Sequence, residues 1–172
     1  DALGLQVAQP WDLRDEAEEC HARLMGLDLL LDELQSVRGW TRETMESMMI
    51  GYDDVSHRVT FPIVEHGIVA DVRCYLPGGI LSLGGAIAPE SKNLPWYAQR
   101  FARGQKPPIN HGKPRLYNWE ACKDLDTVIA AEGEPDCVLA AQDGLPVFTW
   151  TCGCDGWRAH WADQMRAKHV FI

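Results

Sequence analysis

The fold of this chain is decided by the stretch Thr127-Val128-Ile129-Ala130-Ala131-Glu132-Gly133-Glu134-Pro135-Asp136. Its first five residues are almost continuously apolar, which predicts a short strand over 127–131 that is buried on both faces. Gly133 permits a tight turn after Glu132, and a proline in the first helical turn predicts a helix over 135–142. The stretch therefore predicts a buried strand that turns directly into a helix.

The same alternation continues to the last residue. The pattern predicts a second strand over 147–151, a second helix over 157–168 and the start of a third strand over 169–172. Strands that alternate with helices at this spacing form a parallel sheet, wound right-handed and flanked by helices. The expected fold class is α/β, and strand 147–151 is expected to pair parallel to strand 127–131.

The upstream residues follow a different pattern. Leucines at helical spacing behind an acidic first turn predict a helix over 11–35. Thr41 is placed to cap a short helix that ends at Met49. Alternating apolar residues on both sides of His66-Gly67 predict an antiparallel hairpin over 57–75.

These elements divide the chain in two. We expect a smaller mixed α+β lobe over 1–118, followed by the parallel-sheet domain over 119–172. The first lobe would contain helices within 11–50, the hairpin, and a loop over 77–116 that is rich in glycine and proline. A loop of that length inside a compact domain is usually functional or disordered.

The charge is unevenly distributed. The net charge of −9 argues against a wholly cationic nucleic-acid binder, and residues 1–50 hold 11 acidic and 4 basic residues. Residues 91–119 hold six basic residues and no acidic one: Lys92, Arg100, Arg103, Lys106, Lys113 and Arg115. A positive stripe on an acidic protein can hold a polyanion at one place, although a solvated loop face has the same composition.

Three aromatic residues interleave with these basic residues: Trp96, Tyr97 and Phe101. Aromatic rings beside basic groups can stack on the bases of a single strand. They can equally close a loop onto the core. If the stripe binds nucleic acid, its positive groups should converge on a cleft that faces Glu132.

Composition excludes several classes of protein. With 46% hydrophobic and 24% charged residues, the chain is globular rather than disordered or fibrous. Its apolar runs are too short to cross a bilayer, and it opens on no secretory signal, so no membrane partner is expected. The chain begins at Asp1 and ends at Ile172 inside an apolar run, and we expect it to be a fragment of a longer protein.

The six cysteines are scattered, and none forms a Cys-x-x-Cys pair. This pattern argues against a zinc ribbon or finger and favours reduced thiols in a cytoplasmic protein. Cys152 and Cys154 with His160 are an alternative metal set, but buried or loop thiols are the favoured interpretation.

Three carboxylates lie within five residues at the end of the first parallel strand. In wound parallel sheets the active residues gather at the carboxyl ends of the strands, where Glu132 is expected. Together with Glu134 and Asp136 it offers the oxygen ligands that a hard divalent cation prefers. For Glu134 we favour a simpler role, in which its charge complements the helix dipole.

The stretch 127–136 resembles the first motif of TOPRIM domains, an apolar strand that runs into Glu-Gly with an Asp three residues further on. This module occurs in bacterial and phage primases, topoisomerases and certain nucleases. Upstream segments resemble the amino-terminal lobe of the primase catalytic core, especially of the phage and mobile-element primase or primase-helicase type. They are Arg38-Gly39-Trp40-Thr41, Ile50-Gly51-Tyr52-Asp53, Arg58-Val59-Thr60-Phe61-Pro62-Ile63, Arg73 and Lys113-Pro114-Arg115-Leu116-Tyr117-Asn118.

The resemblance covers about residues 23–172 and implies the catalytic core of a DNA primase. Such an enzyme is a DNA-directed RNA polymerase that makes primers on single-stranded DNA by metal-dependent nucleotidyl transfer. The resemblance implies that Glu132 and Asp136 are catalytic and hold Mg²⁺ or Mn²⁺. It also implies that four basic residues contact the nucleoside triphosphate or the template phosphates: Arg58, Arg73, Lys113 and Arg115.

The implied partners are a single-stranded DNA template, ribonucleoside triphosphates and a replicative helicase, fused or separate. The implied location is the cytoplasm, or the host cytoplasm if the protein is phage-encoded. TOPRIM domains carry an Asp-x-Asp motif directly after the third strand, where this sequence stops, and the zinc module that precedes such cores is absent. We therefore expect the 172 residues alone to be inactive.

Two other functions are compatible with the same motifs. One is a TOPRIM nuclease that hydrolyses a phosphodiester with the same metal site. The other is a non-catalytic TOPRIM module that binds single-stranded nucleic acid or a helicase.

Overall fold

The computed structural model describes residues 12–78, 80, 93–95 and 113–172, and within these ranges the chain forms six α-helices and eight strands. The helices are α1 (Arg14–Met25), α2 (Asp28–Arg38), α3 (Arg42–Ser47), α4 (Trp119–Cys122), α5 (Glu134–Gln142) and α6 (Trp161–Met165). The strands are β1 (Gly51–Asp53), β2 (Arg58–Glu65), β3 (Ile68–Tyr75), β4 (Asn93–Pro95), β5 (Leu116–Tyr117), β6 (Thr127–Ala130), β7 (Val147–Trp150) and β8 (His169–Phe171). No helix in these ranges is long and apolar enough to cross a membrane.

The first sheet is antiparallel and has the order β1-β2-β3-β4. Its centre is the predicted hairpin of β2 and β3, which turns at His66 and Gly67, both with positive φ. Two such residues in succession suit the right-handed twist of the flanking strands. The prediction of the hairpin is confirmed, whereas the short strand β1 beside it was not predicted.

The prediction of one helix over 11–35 is wrong, because the chain forms two helices that meet at Gly26 and Leu27. The Gly26 N–H closes the last turn of α1 on the carbonyls of Ala22 and Arg23. Glycine is a poor helix former, and a break here lets both helices bury leucines in one core. The buried leucines are Leu24 on α1 and Leu30, Leu31 and Leu34 on α2.

The second sheet has the order β5-β7-β6-β8. Strand β6 pairs parallel to β7 on one side and parallel to β8 on the other, so the prediction of a parallel sheet is confirmed. Strand β5 adds an antiparallel edge next to β7 that was not predicted. With α5 as the connection between β6 and β7, this half of the chain is α/β.

The prediction that the strand at 127–131 is buried on both faces is wrong. Val128 and Ala130 are buried, but Thr127 is exposed and Ile129 is half-buried. The buried face packs against aromatic residues that include Trp119, Phe148 and Trp161. Side chains alternate between the two faces of a strand, so the face that carries Ile129 is less completely covered.

The predicted helix over 157–168 is also much shorter than expected. A 3₁₀ turn occupies Gly153–Gly156, and α6 covers only 161–165. A Cβ atom at Gly156 would lie 2.1 Å from the Thr151 carbonyl oxygen, so the chain can fold back on itself only at a glycine. Three tryptophans around this turn contact each other edge to face. The ring of Trp157 packs against those of Trp150 and Trp161.

The main apolar cluster takes residues from both sheets. The Phe61 ring on β2 contacts Trp40 at a centroid distance of 5.9 Å and Tyr117 on β5 at 5.8 Å. Cys137 and Val138 of α5 are fully buried in the same cluster. The two halves of the chain therefore share one core. Most of the predicted loop over 77–116 lies outside the described residues.

Gly51 lies where β1 packs closely on α1, and we predict that Gly51→Ala destabilises the fold. An added Cβ would lie 2.6 Å from the Cys20 carbonyl carbon and 2.7 Å from both the His21 nitrogen and Thr60 Oγ1. Overpacking of this kind costs about 1–3 kcal/mol of unfolding free energy, which denaturant titration measures. The matched control is Gly78→Ala, whose Cβ would meet no atom of the described residues within 4 Å and which should change the free energy by less than about 0.5 kcal/mol.

Candidate functional site

Glu132 lies at the carboxyl edge of β6. The residue before it is held by two hydrogen bonds: the Ala131 N–H donates to the Phe148 carbonyl at 2.9 Å, and Thr149 Oγ1 donates to the Ala131 carbonyl at 2.8 Å. Glu132 itself is exposed. The second sheet thus presents this carboxylate to solvent from an ordered position.

Helix α5 begins two residues later. Gly133 has an extended conformation and Pro135 lies in the first turn, where its missing N–H costs no hydrogen bond. Asp136 is exposed in the same turn. Two exposed carboxylates therefore flank the start of this helix.

Glu134 differs from both of them. Its exposed fraction is only 6%, and its Oε1 lies 4.0 Å from Nε of Arg73, which is buried on β3. Burial raises the pKa of Glu134, while a hydrogen bond from its own backbone N–H and, to a smaller extent, the Arg73 charge act to lower it. The interpretation that Glu134 mainly complements the helix dipole is therefore incomplete, since its carboxylate is paired inside the protein. The residues of this pair are far apart in the chain, so no local sequence pattern signals the contact.

The donors at this edge suit a hard cation, but they do not complete its coordination. Glu132 and Asp136 offer the oxygens that Mg²⁺ and Mn²⁺ prefer, and such ions are typically octahedral, with six ligands. Among the described residues, no group of three or more His, Cys, Asp or Glu side chains could hold a metal ion. The two carboxylates fit part of a metal site and need further ligands.

Cys152, a member of the alternative thiol set, is exposed two residues after the end of β7. The side chain of Cys154 lies outside the described residues. Four other thiols are buried: Cys20, Cys74, Cys122 and Cys137. Burial raises the pKa of each, to about 11 for Cys20 and for Cys122. Buried protonated thiols agree with the interpretation that they fill the core.

The four predicted basic site residues have different surroundings. Arg58 is only 2% exposed, at the start of β2, and burial lowers its pKa. Arg73 is buried beside Glu134, and its Nε and Nη1 atoms have no hydrogen-bond partner within the described part of the chain. Lys113 is exposed. The described contacts therefore bring Arg73, but not the whole basic set, to the start of α5.

Arg115 is mostly buried. Its Nη1 donates to Glu65 on β2, and 14% of its side chain is exposed. The other basic residues of the stripe, Lys92, Arg100, Arg103 and Lys106, lie outside the described residues, as do Trp96, Tyr97 and Phe101. The structure thus shows Arg115 as a link between the two sheets.

Two further polar side chains lie in this region and were not predicted as site residues. The Tyr117 hydroxyl is buried without a hydrogen-bond partner among the described residues, and burial raises its pKa. The Arg38 guanidinium lies 5.4 Å from the centre of the Tyr75 ring. Arg38 and Tyr117 belong to the segments that resemble primases, which is the signal that could have identified them.

We predict that Arg115→Ala lowers the unfolding free energy by about 1–3 kcal/mol, because it leaves the Glu65 carboxylate without its ion pair. Lys113→Ala, two residues away and exposed, should leave stability nearly unchanged. Thermal and denaturant unfolding of the two variants measures the difference. Equal unfolding free energies of the two variants would mean that Arg115 contributes no more to stability than an exposed surface charge does.

The comparisons with known proteins show a likeness in structure but none in sequence. The amino-acid sequence matches no protein-family model and no curated protein sequence. A structure of the DnaG catalytic core is similar, with a TM-score of 0.65 at 18% identity over 92% of this chain and 59% of that one. The E. coli primase catalytic core has a TM-score of 0.64 at 16% identity over 91% and 58%. A DnaG primase catalytic domain bound to ssDNA has a TM-score of 0.54 at 17% identity over 92% and 60%.

The chain thus spans less than two thirds of the length of each of these domains. At such identities the likeness is one of fold, and function has to be argued from the site. It confirms the expected α/β architecture, a parallel sheet flanked by helices behind a mixed lobe. The described parts of this chain have the fold of the corresponding part of the DnaG primase catalytic core.

Proposed function

We propose that this chain is part of the catalytic core of a DNA primase, an enzyme that makes RNA primers on single-stranded DNA. The observation that carries the proposal is the likeness to primase catalytic cores over 92% of the chain, with Glu132 exposed at the carboxyl edge of its parallel sheet. Ligands and reactive groups gather at that edge in wound parallel sheets. The upstream motifs favour the phage or mobile-element type of primase.

The proposed roles follow from the chemistry of the side chains. Glu132 and Asp136 would hold Mg²⁺ or Mn²⁺ together with ligands from outside the described residues. When bound, the ion stabilises the negative charge that develops on the phosphoryl oxygens. The protein contributes the placement of the two carboxylates, through the hydrogen bonds of Ala131 and the start of α5.

We propose that Arg58, Arg73, Lys113 and Arg115 contact a ribonucleoside triphosphate or the phosphates of the template. Two nitrogens of Arg73, Nε and Nη1, have no hydrogen-bond partner among the described residues, which supports this role because a guanidinium can donate to phosphate from several directions. One structural neighbour is a primase domain bound to ssDNA, which supports a single-stranded template. A replicative helicase, fused or separate, is the proposed protein partner.

We predict that Glu132→Gln abolishes primer synthesis. The substitution preserves the size of the side chain but removes the charge that would hold the metal, so the rate should fall by at least about 100-fold. The assay uses the natively expressed protein, single-stranded DNA, labelled ribonucleotides and Mn²⁺. Its control is Glu18→Gln, an exposed glutamate on α1, which should retain the full rate. Shortening of the DNA without labelled primers would indicate a nuclease instead.

Binding of single-stranded DNA should weaken steeply as salt increases, because phosphate contacts release counterions. Lys113→Ala should weaken binding and reduce the slope of log affinity against log salt by about one unit. Fluorescence anisotropy of a labelled oligonucleotide measures both. Lys123→Ala serves as the control, since that lysine is paired with Glu120 on α4, and it should leave the slope unchanged. If Lys113→Ala also leaves the slope unchanged, Lys113 lies outside the binding surface.

A further inference from the structure

Glu134 lies between the two proposed metal ligands in the sequence but has the opposite environment. Glu132 and Asp136 are exposed, whereas Glu134 is buried against Arg73 of the first sheet. A carboxylate removed from water is retained only when a charge or hydrogen bonds compensate it. A hydrogen bond from the backbone N–H of Glu134 itself and the charge of Arg73 together supply this compensation, so the first residue of α5 is paired with a residue of β3.

The far end of α5 is also attached to the first half of the chain, but by neutral groups. The Gln142 side chain donates to the Gly39 carbonyl at 3.0 Å and accepts from the Thr41 N–H at 2.7 Å. Between the two ends, Cys137 and Val138 are buried in the shared core. Helix α5 is thus held against the first half of the chain at its start, its middle and its end.

The two attachments differ in their distance from the proposed metal. Glu134 is two residues from each of Glu132 and Asp136. Gln142 is eight residues further along the helix, which corresponds to about 12 Å. A displacement of Glu134 therefore moves Glu132 and Asp136 directly. A displacement of Gln142 can move them only if it is transmitted along the whole helix.

We propose that Glu134 is a positioning residue: its contact with Arg73 fixes the start of α5, and thereby sets the spacing of Glu132 and Asp136 for the metal ion. The inference rests on the proposed function, since it assumes that these two carboxylates bind the ion. It assigns Arg73 a second task beside any contact with phosphate. Groups that orient metal ligands typically change metal affinity by 10- to 100-fold when they are replaced.

The test is titration of Mn²⁺ into the natively expressed protein by calorimetry, alongside thermal unfolding. Glu134→Gln keeps the size of the side chain but removes the ion pair, and we expect Mn²⁺ to bind about 10-fold more weakly. Gln142→Ala is the matched control on the same helix. It should lower the melting temperature while Mn²⁺ affinity stays within about twofold of the unsubstituted chain.

Arg73→Lys provides a second variant if Glu134→Gln fails to fold. It keeps the positive charge beside Glu134 but loses the guanidinium geometry, and it should also weaken Mn²⁺ binding. Absence of Mn²⁺ binding in the unsubstituted, natively expressed protein overturns the proposed metal site, and the inference with it. Unchanged affinity in Glu134→Gln, or an equal loss in Gln142→Ala, overturns the inference alone.

Primer synthesis by the natively expressed protein separates positioning from catalysis. In Glu134→Gln the Mn²⁺ concentration for half-maximal rate should rise about 10-fold, while the rate at saturating Mn²⁺ stays within about twofold. Glu132→Gln should remain inactive at every Mn²⁺ concentration. If the rate of primer synthesis by Glu134→Gln stays low at saturating Mn²⁺, the proposal that Glu134 acts only by positioning is overturned.

Discussion

The burial of helix α5 in a core shared by both sheets is the constraint on which the rest of the structure depends. Each half of the chain is small, and a small domain buries too little apolar surface to be very stable alone. Val138 and Cys137 join a cluster that includes Trp40 and Phe61 of the first half. Because interiors are close-packed, a helix held in this way has little freedom to shift. The geometry of the candidate site is therefore a consequence of core packing.

The buried positive charges have a different physical character from the stripe seen in the sequence. Arg58, Arg73 and Arg115 are largely withdrawn from water, and two of them pair with glutamates. A guanidinium in such surroundings interacts more strongly with nearby charges than one in solvent does, because the surroundings screen it less. Their effect on a bound phosphate would depend on the glutamates beside them as much as on the net charge of the chain.

Local patterns in the sequence predict the local parts of the structure well. The parallel strands at 127 and 147 follow from short apolar runs, and the β2–β3 hairpin follows from alternation around a two-residue turn. The break at Gly26 was missed because the leucine spacing continues on both sides of it. The antiparallel edge strand β5 has only two residues, too few for a pattern to show.

The residues of the candidate site also separate into those that a local sequence pattern predicts and those that it does not. The position of Glu132 follows from a strand and a turn next to each other in the chain. The partner of Glu134 does not, because hydropathy indicates that a residue is buried but not which residue it meets. Arg115 and Glu65 are 50 positions apart, and no sequence pattern near either residue indicates that the two form an ion pair. Ion pairs between distant segments arise from the tertiary fold, so they become visible only in the structure.

The contrast between the buried thiols and Cys152 has a practical consequence. Thiolates rather than thiols react with alkylating reagents, and burial keeps Cys20, Cys74, Cys122 and Cys137 protonated and shielded. Cys152 is exposed at the carboxyl end of β7, on the same edge of the sheet as Glu132. Among the thiols described by the structure, it is the natural attachment point for a spin label or fluorophore. The chain thus carries its own reporter position beside the sheet edge that holds Glu132.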